Sequence, residues 1–201
     1  MGAPPTGKAV GGDPCEVMPA GLPKGPFPDK LKESLMRAAL AEARAAFRES
    51  EIPAGALVCT LGGEVLARAH NRVIGLSDPS AHAEILALRE ASRLIGNHRL
   101  TGLALFSTLE PCPMCLSCAL QSRLEGIVYG AREPKWGALG SVLDLNSLPG
   151  LNHRLSFLEG GVLAEESALL MRDFFKARRK NPAWDPGSPL GPNGASQDGV
   201  K

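Results

Sequence analysis

Between residues 103 and 130 the chain reads LALFST, then PCPMCLSCALQSR, then GIVYG. Two short apolar runs that read as strands flank a helical pattern opened by proline, which the first helical turn tolerates because an N–H there has no partner to lose. Upstream, Asp29 opens a helical pattern with Leu31, Leu35, Ala39, Ala43 and Ala46 on one side. The stretch AGALVCTLGGEVLARAHN predicts two strands joined by a two-residue hairpin at Gly62-Gly63. Asp78-Pro79-Ser80 then leads from a loop into the helix AHAEILALREASRLI, which Gly96 stops. RLSFLEG predicts a fifth strand, and AEESALLMRDFFKARRK a closing helix. A helix, a hairpin and then alternating helices and strands predict a three-layer α/β/α domain around a mixed sheet of about five strands.

That domain is expected to run from about residue 29 to 180. Residues 1–28 hold seven prolines and six glycines, and residues 181–201 hold four of each. Such composition buries too little apolar surface to offset chain entropy, so both stretches are expected to be disordered tails, with no role assigned to Cys15 or Trp184. A length of 201 residues with 44% apolar composition suits one well-packed domain, and a net charge of +1 argues neither for nor against nucleic acid. Three of the five cysteines crowd into seven residues, which suits a reducing compartment. With no apolar leader and no run of 18 apolar residues, the expected setting is the cytosol, away from membrane.

The cysteine triplet narrows the chemistry. Cys112 and Cys115 stand at i and i+3 on the predicted helix, about 60° apart in projection, and can grip one ion. A helix N-terminus also favours thiolates. Cys118 falls about 120° from Cys112 and reads as a small buried apolar residue. No fourth cysteine follows for an iron–sulfur cluster, and no second CxxC pair exists for a zinc ribbon. The site therefore needs a nitrogen ligand, and of His70, His82, His98 and His153 only His82 sits at a predicted helix start after a loop. Two cysteines and one histidine leave a tetrahedral zinc one position for water, the mark of a catalytic rather than a structural ion. Such a water ionises near neutral pH. Glu84, two residues on, reads either as a first-turn acid complementing the helix dipole or as a proton shuttle beside that water. The pair "HAE" and "PCPMC" matches H-x-E…P-C-x-x-C, the pattern of zinc-dependent nucleobase deaminases.

On these motifs, and on "PAGALV", "HNR", "DPSAHAEILALRE", "RLTGLALFSTLEPCPMC", "VYGAREPKWGALGS", "LNHR", "GGVLAEE" and "LLMRDFFKARRK", the chain resembles the bacterial tRNA-specific adenosine deaminases of the cytidine/deoxycytidylate deaminase superfamily. The resemblance covers nearly all of residues 29–180. It implies a cytidine-deaminase-like fold, a homodimer, and conversion of the wobble adenosine of a tRNA anticodon to inosine; the His82, Cys112 and Cys115 set predicts one zinc per chain. It also implies that Asn71 contacts the flipped nucleoside and that Glu84 is the general acid/base.

Leu116, Ser117 and Cys118 stand where the family has small residues, Glu133 where it has aspartate, and Trp136 where a small residue is usual. Glu133 and Trp136 are accordingly expected to bear on substrate presentation, Trp136 by stacking on a splayed base or else by covering the core. RDFFKARRK sets Arg172, Lys176, Arg178, Arg179 and Lys180 against one acid, with two phenylalanines between. Arg178 and Arg179 are the expected phosphate contacts, although cations at a helix C-terminus also complement its dipole. Two alternatives stay open. "MCL" and Glu133 also resemble the guanine deaminase branch, and a deaminase-fold subunit can bind RNA without catalysis while keeping zinc for stability.

Overall fold

In the computed structural model, which describes residues 22–180, the strand residues alternate between two cores on opposite faces of one sheet. The expectations for residues 1–21 and 181–201 lie outside the described residues. The strands are β1 (Gly55–Thr60), β2 (Val65–His70), β3 (Leu103–Leu109), β4 (Gly126–Ala131) and β5 (Phe157–Glu159). The helices are α1 (Asp29–Arg48), α2 (Ala83–Ile95), α3 (Pro113–Gln121) and α4 (Ala164–Arg179). The spatial order is β2-β1-β3-β4-β5, with β1 antiparallel to β2 and β3, and with β3, β4 and β5 mutually parallel. This is the expected mixed, five-stranded, three-layer arrangement.

Period-two alternation assigns each side chain to a face. Leu57, Cys59, Ala104, Phe106 and Val128 pack with Leu35, Met36, Ala39 and Leu40 of α1. Ala56, Val58, Leu105, Ile127 and Tyr129 pack on the other face with Ala87 and Leu88 of α2 and Leu116 and Ala119 of α3. Gly55 lets α1 come close to β1, since a Cβ there would lie 2.1 Å from the Ala39 carbonyl oxygen. Among the described residues no helix is long and apolar enough to cross a membrane.

Two local expectations are corrected. The hairpin does not close on a two-residue turn at Gly62-Gly63: Leu61–Glu64 separate the strands, and the register shifts between Val58 and Cys59. A tight primed turn of the Asn-Gly type needs positive φ at both central residues, and here only Gly63 has it, at φ 90°. Thr60 closes the longer loop instead, its N–H donating to the Glu64 carbonyl (2.9 Å) and its hydroxyl accepting from the Glu64 N–H (3.1 Å).

The packed chain also begins before Asp29. Phe27 is 4% exposed and meets Phe106 and Phe157 edge-on at 5.1 and 6.0 Å, and the Leu158 N–H donates to the Pro23 carbonyl at 3.1 Å. Average composition hid one aromatic ring that anchors the segment. Truncating a buried phenylalanine costs about 3–5 kcal/mol. Phe27→Ala should therefore lower the urea midpoint of unfolding clearly; an unchanged midpoint would show that residues 22–28 add nothing to the core.

Candidate metal centre and active-site cleft

His82 and Cys112 are the N-cap residues of α2 and α3, both extended (φ −69°, ψ 150° and φ −73°, ψ 169°). Their carbonyls accept the first helical hydrogen bonds, from Leu86 (3.0 Å) and Leu116 (2.9 Å). Neither side chain caps its own helix. They turn toward each other instead, with His82 Nδ1 3.7 Å from Cys112 Sγ and 3.4 Å from Cys115 Sγ. All three candidate ligand atoms lie within 4.8 Å of one another. Zinc–sulfur and zinc–nitrogen bonds of ordinary length at the tetrahedral angle give an N···S edge of about 3.6 Å. The two observed separations bracket that edge, so the three residues fit one zinc ion. With Nδ1 facing the sulfurs, a ligating neutral imidazole carries its proton on Nε2.

The two thiols are pushed in opposite directions by their mutual hydrogen bond. A hydrogen bond from Cys115, aided by His82, holds the Cys112 thiol down at about 4. The same pairing with Cys112, together with burial, pushes Cys115 up. His82 is raised chiefly by its hydrogen bond to Cys112. Glu84 is buried at the second helical position of α2, and burial raises its carboxyl above the ordinary range. Its carboxyl is close enough to His82, Cys112 and Cys115 for their charges to act on it. His82 is a cap outside the helical spiral, so the 200° separation of an i, i+2 helical pair does not apply and both side chains reach the same place. Cys118 is outside the cluster, as its projection predicts, but it is half-buried rather than buried, packing against the α2–α3 core.

A cleft of about 880 Å³ opens beside these residues and is lined by His82, Glu84, Cys112, Asn71, Glu133, Trp136 and Arg178 among others. Trp136 is 69% exposed, so of its two readings core cover is excluded. Arg178 lies over the Phe174 ring at 4.6 Å and donates to the Ser50 carbonyl at 3.1 Å. Arg179 does not line this cleft. It lines an adjoining groove of about 640 Å³ with Lys135, Arg172, Lys176 and Phe175. Phe174 is core and Phe175 is half exposed.

Residues 29–131 match the family described as the cytidine and deoxycytidylate deaminase zinc-binding region. The chain belongs to that deaminase family. It is 41% identical over 150 residues to a tRNA-specific adenosine deaminase of Aquifex aeolicus, covering 75% of this chain and 97% of that one. It is 47% identical over 156 residues to a tRNA(Ile)-lysidine synthase of Thermus thermophilus, covering 78% of this chain but only 27% of that protein. Among solved structures it resembles, with a TM-score of 0.66 and 39% identity, one from work on A-to-I editing by tRNA:A34 deaminases at the wobble position of transfer RNA. That match covers 68% of this chain and 98% of the other.

Two buried carboxylates of this deaminase escaped the sequence reading. Glu51 accepts from the Asn71 side-chain amide at 3.0 Å and from the Gly75 N–H at 2.6 Å. Glu110 accepts from the N–H groups of Leu139 (2.8 Å), Ser141 (3.1 Å) and Glu133 (3.2 Å), and from the Ser141 hydroxyl. It thereby ties down the loop that carries Glu133 and Trp136. Gly137 admits this approach, since a Cβ there would lie 2.5 Å from the Glu110 carboxyl carbon. The Glu133 carboxylate is turned onto its own loop, accepting from the Lys135 N–H at 3.0 Å.

No local motif announces either carboxylate, because their partners lie 20–31 residues away. Glu110→Gln sets an amide NH₂ against N–H donors and should cost about 2 kcal/mol. Hydrogen exchange should quicken across residues 133–141; unchanged protection there would remove Glu110 from this role.

Proposed function

We propose that this chain hydrolyses the wobble adenosine of a tRNA anticodon to inosine and ammonia, with one zinc ion per chain held by His82 Nδ1 and the thiolates of Cys112 and Cys115. The observation that carries the reading is the buried Glu84 carboxyl set beside a three-ligand cluster on the wall of a cleft large enough for a nucleoside. When bound, zinc makes a coordinated water acidic enough to ionise near neutral pH. Glu84 would accept a proton from that water and deliver it to N1 as the oxygen adds to C6; it would then accept the proton of the new C6 hydroxyl and pass it to the amino group, which leaves as ammonia. Its raised pKa suits a group that must hold the proton between these transfers. Asn71 contacts the flipped nucleoside, and Glu133 and Trp136 shape the rim, where the exposed indole can stack on a splayed base.

The groove beside the cleft supports an RNA substrate. Lys135, Arg172, Lys176 and Arg179 line it with the half-exposed Phe175 and a single acid, Asp173, a grouping that suits phosphates and an unstacked base. The tRNA-specific adenosine deaminase of Aquifex aeolicus, matched over 97% of its length, favours the same substrate class here. The family resemblance favours a homodimer in the cytosol, and exposed Leu94 on α2 and Met114 on α3 supply apolar surface for association.

Ammonia release on a panel of anticodon stem-loops, free adenosine, guanine and cytidine tests the substrate. An A34 stem-loop should be the best substrate, and faster release from free guanine would overturn the tRNA reading in favour of a purine deaminase. Metal analysis should find about one zinc per chain in Cys118→Ser and a clear deficit in Cys115→Ser; the reverse would move the ligand assignment. Glu84→Ala should keep its zinc and lose about 10²–10⁴-fold in turnover. Near-normal turnover would leave a non-catalytic role for that carboxyl. Arg179→Ala should weaken stem-loop binding and lower its salt slope by about 1; an unaltered slope would place the RNA elsewhere.

A further inference from the structure

We propose that Glu51 is a positioning residue that fixes which end of the Asn71 side-chain amide meets a bound nucleoside, an inference that rests on Asn71 being a nucleoside contact. The end of α1 sets Glu51 in place. Ser50 adopts a left-handed conformation (φ 62°), its N–H donates to the Phe47 carbonyl (3.1 Å), and the Glu51 N–H donates to the Ala46 carbonyl (2.9 Å). These are the paired bonds of a Schellman ending, with serine where glycine is usual. They turn the chain so that the Glu51 carboxylate enters the cleft wall, 2% exposed. Arg178 of α4 donates to the carbonyl of the same Ser50 and so fastens this corner to the closing helix.

Each Glu51 oxygen has a separate task. Oε1 accepts from the Gly75 N–H at 2.6 Å and holds the loop that runs on to His82. Oε2 accepts from Asn71 Nδ2 at 3.0 Å. The Asn71 backbone is fixed independently, its N–H donating to the Ala54 carbonyl at 3.0 Å. Asn71 is itself 4% exposed, so its amide has little solvent to turn into. An ionised carboxylate can only accept. The flipped amide would set Asn71 Oδ1 against Glu51 Oε2, two acceptors in a buried place with no proton between them. Glu51 therefore admits a single orientation, with Nδ2 toward itself and Oδ1 turned away. The nucleoside meets an amide whose donor and acceptor ends are already assigned, and rejects partners of opposite polarity.

Glu51→Gln keeps the volume and reverses the constraint, because the Gly75 N–H holds the glutamine oxygen and leaves its NH₂ facing Asn71, where it can donate to Oδ1 but not accept from Nδ2. On the best RNA substrate of the panel, Glu51→Gln should raise KM about tenfold with a smaller change in kcat. Zinc content and the unfolding midpoint should stay near wild type. A collapse of both would make Glu51 a structural residue and overturn the proposal.

The decisive measurement is the double mutant. If Glu51 acts through Asn71, then Glu51→Gln made in an Asn71→Ala background should lose nothing further, whereas losses that simply add would refute it. A substrate-free readout separates this idea from the RNA reading. In protein labelled with ¹⁵N at asparagine, the Asn71 side-chain amide should show one downfield, slowly exchanging proton that Glu51→Gln abolishes. Asn71 signals indifferent to Glu51→Gln would overturn the proposal whatever the substrate proves to be.

Discussion

Two helices that start at the same point in space are the constraint on which the site depends. β3 and β4 are parallel, so the chain between them must cross the face of the sheet, and α3 makes that crossing. Only three residues separate it from β3, which leaves Cys112 little freedom to be elsewhere. α2 covers the same face and begins at His82. Both helices thus aim unsatisfied N–H groups and the positive ends of their dipoles at one spot. A thiolate is stabilised there, and at Cys112 the hydrogen bond from the Cys115 side chain, with smaller help from His82 and the Cys115 N–H, lowers the thiol further. A histidine and two cysteines would be a weak pattern on mobile loops; on two helix ends held by a packed core they are preorganised.

Burial then divides labour among the carboxylates. Glu84, Glu51 and Glu110 are all nearly inaccessible, yet their surroundings differ. Glu84 sits beside His82, Cys112 and Cys115, and desolvation raises its carboxyl and favours the protonated form. Glu51 and Glu110 are surrounded by N–H donors, which compensate a buried negative charge. One holds the inner wall of the cleft at Asn71 and the other holds its rim at Glu133 and Trp136.

The motif-bearing residues were legible because their information is local. His82, Glu84, Cys112 and Cys115 lie at helix starts that proline, serine and the following apolar periodicity mark plainly, and projection alone separated Cys118 from them. The two sheet faces were legible for the same reason, through alternation. What stayed hidden is long-range. Glu51 and Glu110 look like ordinary acids until the fold brings their donors to them. Arg178 and Arg179 look equivalent in a basic run, yet their 100° separation on a helix sends one to the cleft and the other to the outer groove. Glycine pairs suggest a tight hairpin, but the threonine before them set a longer one.

The short strap before α1 has a consequence for how the molecule behaves in a crowd. β5 is three residues long and ends the sheet, and an open strand edge invites pairing with any other extended chain. Here the Leu158 N–H is already taken by the Pro23 carbonyl, and Phe27 buries its ring against Phe157. Prolines at 23, 26 and 28 have no N–H to offer. The covering segment therefore accepts from the sheet without presenting a regular row of donors beyond it. The stretch serves as a terminator at the β5 edge of the sheet.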